Sequence, residues 1–265
     1  MLYGAMNFPV RPVLEELEAI VTLGFDYLEL SMDPPQAHHS IIAGERDMIL
    51  EVLKLHNMQV ICHLPTFLYT ADLTESVRAA SVNEILDSLK VAADLNPLKV
   101  VLHPSYVTGL GALVADRARR YASESLVVIV EQAEKLGLSL CIENMFPRAK
   151  SLAEPEEFAE IFDSFPTLKM TLDTGHANIG GKGCKRTLEF IQRFPDRIDH
   201  VHASDNFGRE DNHLPIGAGT VEFHRIIKAL KGMGYNDTVT FEVFAKDKEY
   251  LTISRNKFAA ILESC

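Results

Sequence analysis

The chain has 265 residues, 47% hydrophobic and 24% charged, enough apolar material for a sizeable core and unlike a disordered or fibrous chain. Its apolar stretches are of strand length and its start lacks a basic region followed by an apolar run, so neither a membrane span nor a signal peptide is expected; the predicted location is cytoplasmic. A net charge of −11 disfavours broad binding to nucleic acid or an anionic membrane, and four cysteines without C-x-x-C spacing suit reduced thiols better than a disulfide frame or a thiolate metal site.

Taken in chain order, short apolar runs alternate with segments of helical hydrophobic spacing. A strand over 2–7 precedes a helix over 11–23 that closes on Leu23-Gly24; a strand over 27–32 precedes a helix over 45–57. Strands over 59–64 and 99–103 lead into helices over 74–94 and 113–136, the latter closing on Leu136-Gly137. The second half repeats the rhythm, with strands over 139–144, 168–174, 198–205 and 238–244 and helices over 154–165, 185–193, 221–232 and 247–262; Lys231-Gly232 reads as another helix end. No linker, charge block or low-complexity tract divides these eight pairs, so one domain over 1–265 is expected. Eight β-α units with right-handed crossovers predict an α/β fold, a single-domain (β/α)8 TIM barrel. A doubly wound open sheet is the competing architecture, and it lacks support because no strand is followed by a G-x-G-x-x-G turn or a P-loop.

In such a barrel the chemistry sits at the C-terminal ends of the strands. There the sequence places His63, His103, Glu143, Asp173, His202 and Glu242, one on each of strands 3 to 8. Side chains alternate along a strand, so the apolar neighbours Cys62, Leu102, Ile142, Leu172, Val201 and Phe241 face the helices and the six polar residues face the axis. Converging carboxylates and imidazoles repel and are costly to desolvate, a conflict that a divalent cation resolves; nitrogen and oxygen donors without thiolate suit Zn, Mn, Fe or Mg. His176 follows Asp173 closely, and Asp211 and His213 precede a Gly217-Ala218-Gly219 turn, so these three are candidates for further metal or substrate contacts. His200 and Glu29 share the inward parity, His200 as a satisfied interior histidine and Glu29 as either an interior partner or a sugar contact. His38 and His39, in a Pro-rich loop after the second strand, read as solvated loop residues ahead of substrate contacts, and His56 and His224 as surface.

The runs Cys141-Ile142-Glu143-Asn144, Thr171-Leu172-Asp173-Thr174-Gly175-His176, His200-Val201-His202-Ala203-Ser204-Asp205-Asn206 and Phe241-Glu242-Val243 together resemble the xylose-isomerase-like TIM-barrel superfamily over essentially the whole chain. That superfamily holds sugar and sugar-phosphate isomerases and epimerases and also the endonuclease IV family. The resemblance to its ketose 3-epimerase branch implies one metal, Mn or Zn, on Glu143, Asp173, His202 and Glu242. It further implies an enediolate formed by proton transfer between Glu143 and Glu242. His63, His103, His176, Arg209 and His213 would then contact a small sugar or sugar phosphate. A substrate-binding arginine of those enzymes falls at Gly208 here, with Arg209 adjacent, and Lys182 or Arg209 could add charge. The resemblance to endonuclease IV implies the alternative, an abasic-site endonuclease with several zinc ions that also recruit His63, His103, His176, Asp211 and His213. The acidic charge and short loops favour the small substrate over nucleic acid. Phe8, Phe67, Phe146, Phe207 and Phe244 near strand ends suit either sugar stacking or barrel packing, and homo-oligomerisation is left open.

Overall fold

A computed structural model describes the chain over residues 1–265 except Thr108 and Lys182, so the charge expected of Lys182 lies outside the described residues. Strands β1 (Leu2–Met6), β2 (Tyr27–Ser31), β3 (Gln59–His63), β4 (Val100–Leu102), β5 (Leu140–Glu143), β6 (Lys169–Asp173), β7 (Ile198–Ala203) and β8 (Thr238–Phe241) pair in parallel, each with the next. β1 closes on β8 through Leu2 opposite Thr238 to Ala5 opposite Phe241, which leaves the barrel without a free edge. Around it stand α1 (Val13–Thr22), α2 (His39–Leu55), α3 (Glu75–Asp94), α4 (Ala115–Lys135), α5 (Pro155–Ser164), α7 (Lys185–Arg193), α8 (Phe223–Gly232) and α9 (Glu249–Ser264), with a short α6 (Thr174–Asn178) on the loop after β6. The fold is the predicted (β/α)8 barrel.

Alternation along the strands builds two apolar layers. Cys62, Leu102, Ile142, Leu172, Val201 and Phe241 point outward into the core shared with the helices, whereas Tyr27, Ile61 and Val101 form a separate cluster inside the barrel. The Tyr27 ring fills its space because position 4 is glycine: a Cβ there would lie 2.1 Å from that ring. Its hydroxyl meets Thr240 Oγ1 at 2.8 Å. At the N-terminal end of the barrel, the Lys99 ammonium donates to Asp237 Oδ1 at 2.9 Å and to the Asp199 carbonyl, and lies 3.1 Å from Asp199 Oδ2. That one cation ties the start of β4 to β7 and β8.

Three elements differ from expectation. α2 begins at His39 rather than residue 45, because the His38 ring nitrogen accepts from the Ser40 N–H at 3.2 Å and so caps the helix from outside the usual set of capping side chains. α6 was expected as loop; Asp173 Oδ1 accepts the His176 N–H at 2.6 Å and starts a helical turn there. Gly232 is the last residue of α8, and the left-handed residue that ends the chain's helical run is Gly234 (φ 82°), whereas Gly24 and Gly137 are left-handed as predicted. All four cysteines are free, three of them buried. Among the described residues, no helix is long and apolar enough to cross a membrane.

Candidate active site

The C-terminal mouth of the barrel gathers the six predicted strand-end residues, each of them buried. β4 ends at Leu102 and β8 at Phe241, short of the expected residues 103 and 244, so His103 and Glu242 sit just past their strands rather than within them. At the centre is His202: its Nδ1 lies 3.3 Å from Glu242 Oε1, 3.4 Å from Glu143 Oε1 and 3.7 Å from Asp173 Oδ2. One imidazole nitrogen thus faces carboxylates from three strands. The ring is held from below, where Nε2 lies 2.9 Å from Glu29 Oε1; the other Glu29 oxygen meets His200 Nε2 at the same distance. Glu29 is therefore an interior partner rather than a sugar contact, and His200, also bound to Thr238 Oγ1 at 2.8 Å, is the satisfied interior histidine expected. Asn144 positions Asp173 by accepting its N–H at 2.8 Å and donating to its carbonyl at 3.0 Å.

A second layer of imidazoles stands on this centre. His63 lies 2.8 Å from the Leu64 carbonyl through Nδ1, which places the proton there, and 3.3 Å from Glu143 Oε2 through Nε2. His176 lies 2.9 Å from the Asn144 carbonyl and 3.2 Å from Glu143 Oε1 through Nδ1, and 3.1 Å from Asp211 Oδ2 through Nε2. His213 reaches the same Asp211 oxygen at 2.9 Å, from a left-handed backbone (φ 47°) uncommon for a non-glycine residue. The loop that carries Asp211 and His213 is closed at its base, where Asp205 and Leu214 exchange both backbone hydrogen bonds at 2.8 Å.

The fields in this mouth push its carboxylates apart. Burial alone would raise the Glu143 carboxyl, but the His202 charge and hydrogen bonds with His176, His202 and His63 hold it well below the ordinary range. Burial pushes Glu242 up to about 8, with Asp173 adding to the rise and His202 opposing it. Burial would lower His202, but Glu242, Glu29 and Glu143 hold it well above the ordinary imidazole value. Burial takes His103 down to about 3, so its ring is neutral.

The donor set fits a divalent cation. Glu143, Asp173 and His202 offer ligand atoms within 4.8 Å of one another, and so do His103, Glu143 and His176. Among buried side-chain atoms without a hydrogen-bond partner are Asp173 Oδ2, Glu242 Oε2, Asp211 Oδ1 and His103 Nδ1, all in this mouth. Buried polar atoms aimed at one space without partners match a site built around an ion.

Above the ring opens a cavity of about 940 Å³, whose base holds His63, His103, Glu143, His176, His213 and Glu242 and whose walls include Phe8, Phe67, Leu68, Val77 and Phe244. Phe146 packs on His176 at 5.1 Å between ring centroids. Arg209 does not join this arrangement: it is exposed, and its carbonyl accepts from Arg148 at 3.5 Å. Phe207 is likewise exposed and away from the cavity lining. His38 and His39 are not solvated loop residues; their rings stack at 4.0 Å and both face Glu84 of α3, at 2.9 and 3.4 Å.

The model of the xylose isomerase-like TIM barrel family matches residues 17–261. The chain belongs to that family. Within it, an uncharacterized protein of Methanocaldococcus jannaschii is 30% identical over 275 residues, covering 98% of this chain and 92% of the relative. An L-ribulose-5-phosphate 3-epimerase of Escherichia coli is 24% identical over 245 residues, covering 89% and 84%. Among solved structures, a D-tagatose 3-epimerase-like protein superposes with a TM-score of 0.89 at 28% identity, over 100% of this chain and 98% of the other.

Proposed function

We propose that this family member is a divalent-metal-dependent epimerase or isomerase of a sugar or sugar phosphate that moves a proton at the carbon beside the substrate carbonyl, with Glu143 and Glu242 as the acid–base pair. The carrying observation is that Glu143 and Glu242, from β5 and the end of β8, flank one imidazole nitrogen together with Asp173. The names of the two 3-epimerase relatives support a sugar as substrate. Glu143, Asp173, His202 and Glu242 would hold the ion, Mn or Zn, which when bound polarises the carbonyl and its neighbouring hydroxyl. Glu143, held ionised, takes the proton from carbon. Glu242, facing the site from the end of β8, returns one, and the reverse reaction exchanges the roles. His63, His103, His176 and His213 line the base and orient hydroxyls. The test is turnover of ketoses by metal-loaded protein in deuterium oxide. Product should carry deuterium beside the carbonyl, and Glu143→Gln or Glu242→Gln should slow turnover by about a hundredfold. Label-free product, or either variant at wild-type rate, removes the two-glutamate mechanism.

A second reading, an abasic-site endonuclease with a multi-zinc site, is favoured by one observation: His103, Glu143 and His176 form a second donor group beside the first, with Asp211 and His213 adjoining it. Metal content separates the two. A single ion per chain supports the epimerase, whereas several zinc ions together with incision of an abasic duplex that depends on His63 and His103 support the nuclease.

A further inference from the structure

We infer that the substrate is an uncharged sugar that carries no phosphate group, an inference that rests on the sugar-epimerase reading of the same site. A phosphate ester brings a dianion that needs charge-assisted donors, most often Arg, Lys or a ring of free backbone N–H groups. Among the described residues that line the cavity there is neither Lys nor Arg, but there are five carboxylates, Asp33, Glu84, Glu143, Asp211 and Glu242. Three of the four imidazoles at its base are already matched, His63 with Glu143, His176 with Asp211 and Glu143, His213 with Asp211; only His103 is left without a carboxylate partner. Of the cations on neighbouring segments, Lys248 is engaged on Glu16 at 2.6 Å and Arg78 on the carbonyls of Asp72 and Leu73, while Arg11 and Lys246 are exposed and outside the cavity lining.

Backbone donors give the same answer. The glycine turn over 217–219 is the segment whose pattern suits a phosphate cradle, and its N–H groups do converge. They converge on a carboxylate: Asp205 Oδ2 accepts from Gly217 and Gly219 and Oδ1 from Val221, each at 2.9 Å. The chain's own anion occupies the place a phosphate would take. The first turn of α3, whose Ser76 and Val77 border the cavity and whose dipole favours an anion, carries its own carboxylate in Glu75. Away from the ring the lining combines the apolar Phe67, Leu68, Val77 and Ala80 with the neutral hydroxyls of Thr66, Ser76 and Ser81 and the carboxylate of Glu84, groups that suit sugar hydroxyls and offer a phosphate dianion no countercharge.

The test is isothermal titration of the Mn-loaded protein with matched pairs: D-fructose and its 6-phosphate, D-tagatose and its 6-phosphate, L-ribulose and its 5-phosphate. At least one free sugar should bind, and its ester should bind at least about tenfold more weakly. An ester that binds as tightly as its parent overturns the inference, and so does failure of every free sugar to bind. Val77→Arg places a cation on the apolar wall outside the catalytic group and should close the gap between parent and ester by about tenfold; an unchanged gap shows that missing cations are not its cause and overturns the inference as well. The two readings fail separately. A free sugar that binds but takes up no deuterium removes the epimerase and leaves the preference, whereas an ester turned over faster than its parent removes the preference and leaves the epimerase.

Discussion

Replacing Glu29 by glutamine keeps the shape of the side chain that carries His202 and removes its charge. In the native barrel one fully buried carboxylate serves two imidazoles, with both Oε–Nε2 distances at 2.9 Å. Hydrogen bonds to a charged group are worth roughly 1.5–3 kcal/mol each and neutral ones roughly 0.5–1.5. Glutamine offers one acceptor and one donor in place of two acceptors. His200 can adapt, because its Nδ1 can carry the proton and donate to Thr238 Oγ1 at 2.8 Å, leaving Nε2 to accept from the new amide. His202 has Nδ1 committed to Glu143, Asp173 and Glu242, so its Nε2–H still needs an acceptor below and the amide oxygen must serve it. Both contacts then survive as neutral bonds, and the expected loss is about 2 kcal/mol in urea denaturation, the sum of about 1 kcal/mol per bond. Glu29→Ala leaves the buried His202 Nε2–H unpaired and His200 Nε2 with only Thr240 Oγ1 at 3.4 Å, and should cost about 3 kcal/mol or more, a large part of the ~5–15 kcal/mol that keeps a domain folded. Because Glu29 orients the imidazole proposed to hold the ion, Glu29→Gln should also weaken Mn or Zn binding by roughly 10–100-fold in a calorimetric titration. A glutamine variant with wild-type stability and wild-type metal affinity would refute the idea that Glu29 sets the orientation of His202.

Three further outcomes are expected. Gly4→Ala drives a methyl into the Tyr27 ring and should lower stability by about 1–3 kcal/mol, read as a lower Tm; an unchanged Tm would show that the ring has room to move. Asp205→Asn removes one carboxylate oxygen from four backbone N–H groups and should cost about 2–4 kcal/mol, with hydrogen exchange accelerating at Gly217, Gly219 and Val221; unaltered protection there would contradict the arrangement. Burial alone would lower the Lys99 ammonium, but Cys141, Asp237 and Asp199 hold it above the ordinary value. A raised pKa means stability fully present below about pH 10.4 and lost as pH climbs through the folded value, so the stability lead over Lys99→Met should shrink only in strong alkali; a lead that vanishes near neutral pH would exclude the clamp.

The barrel and its ring were legible because strand alternation is a local rule. Once Cys62, Leu102 and Ile142 are assigned to the helix side, His63, His103 and Glu143 have nowhere to point but the axis, and no long-range information is required. What the pattern could not supply is partnership between inward residues of distant strands. Glu29 was visible as inward-facing, yet its pairing with His200 and His202 joins β2 to β7 across the barrel, and only closure brings them together. The same holds for Asp205, an unremarked part of a strand-end motif that in fact organises a turn twelve to sixteen residues later. Arg209 failed for the opposite reason: sequence adjacency to Gly208 suggested a reach into the mouth, whereas the left-handed Gly208 (φ 75°) is followed by an exposed arginine. His38 and His39 follow a Pro-rich stretch after β2 that reads as loop, and their shared partner Glu84 lies on α3, which only folding brings beside them.

The paired backbone bonds between Asp205 and Leu214 give the loop after β7 a neck. Asp205 and Leu214 sit side by side, so the stretch between them is an excursion pinned at both ends. Enlarging such a loop is inexpensive, since doubling its length adds only about 0.6 kcal/mol of closure entropy. The tip around Gly208 and Glu210 can therefore be rebuilt while Asp211 and His213 still return to the same anchor. For an engineer this is the natural grafting point: a new substrate wall could be installed there, and the eight strands beneath it would bear none of the change.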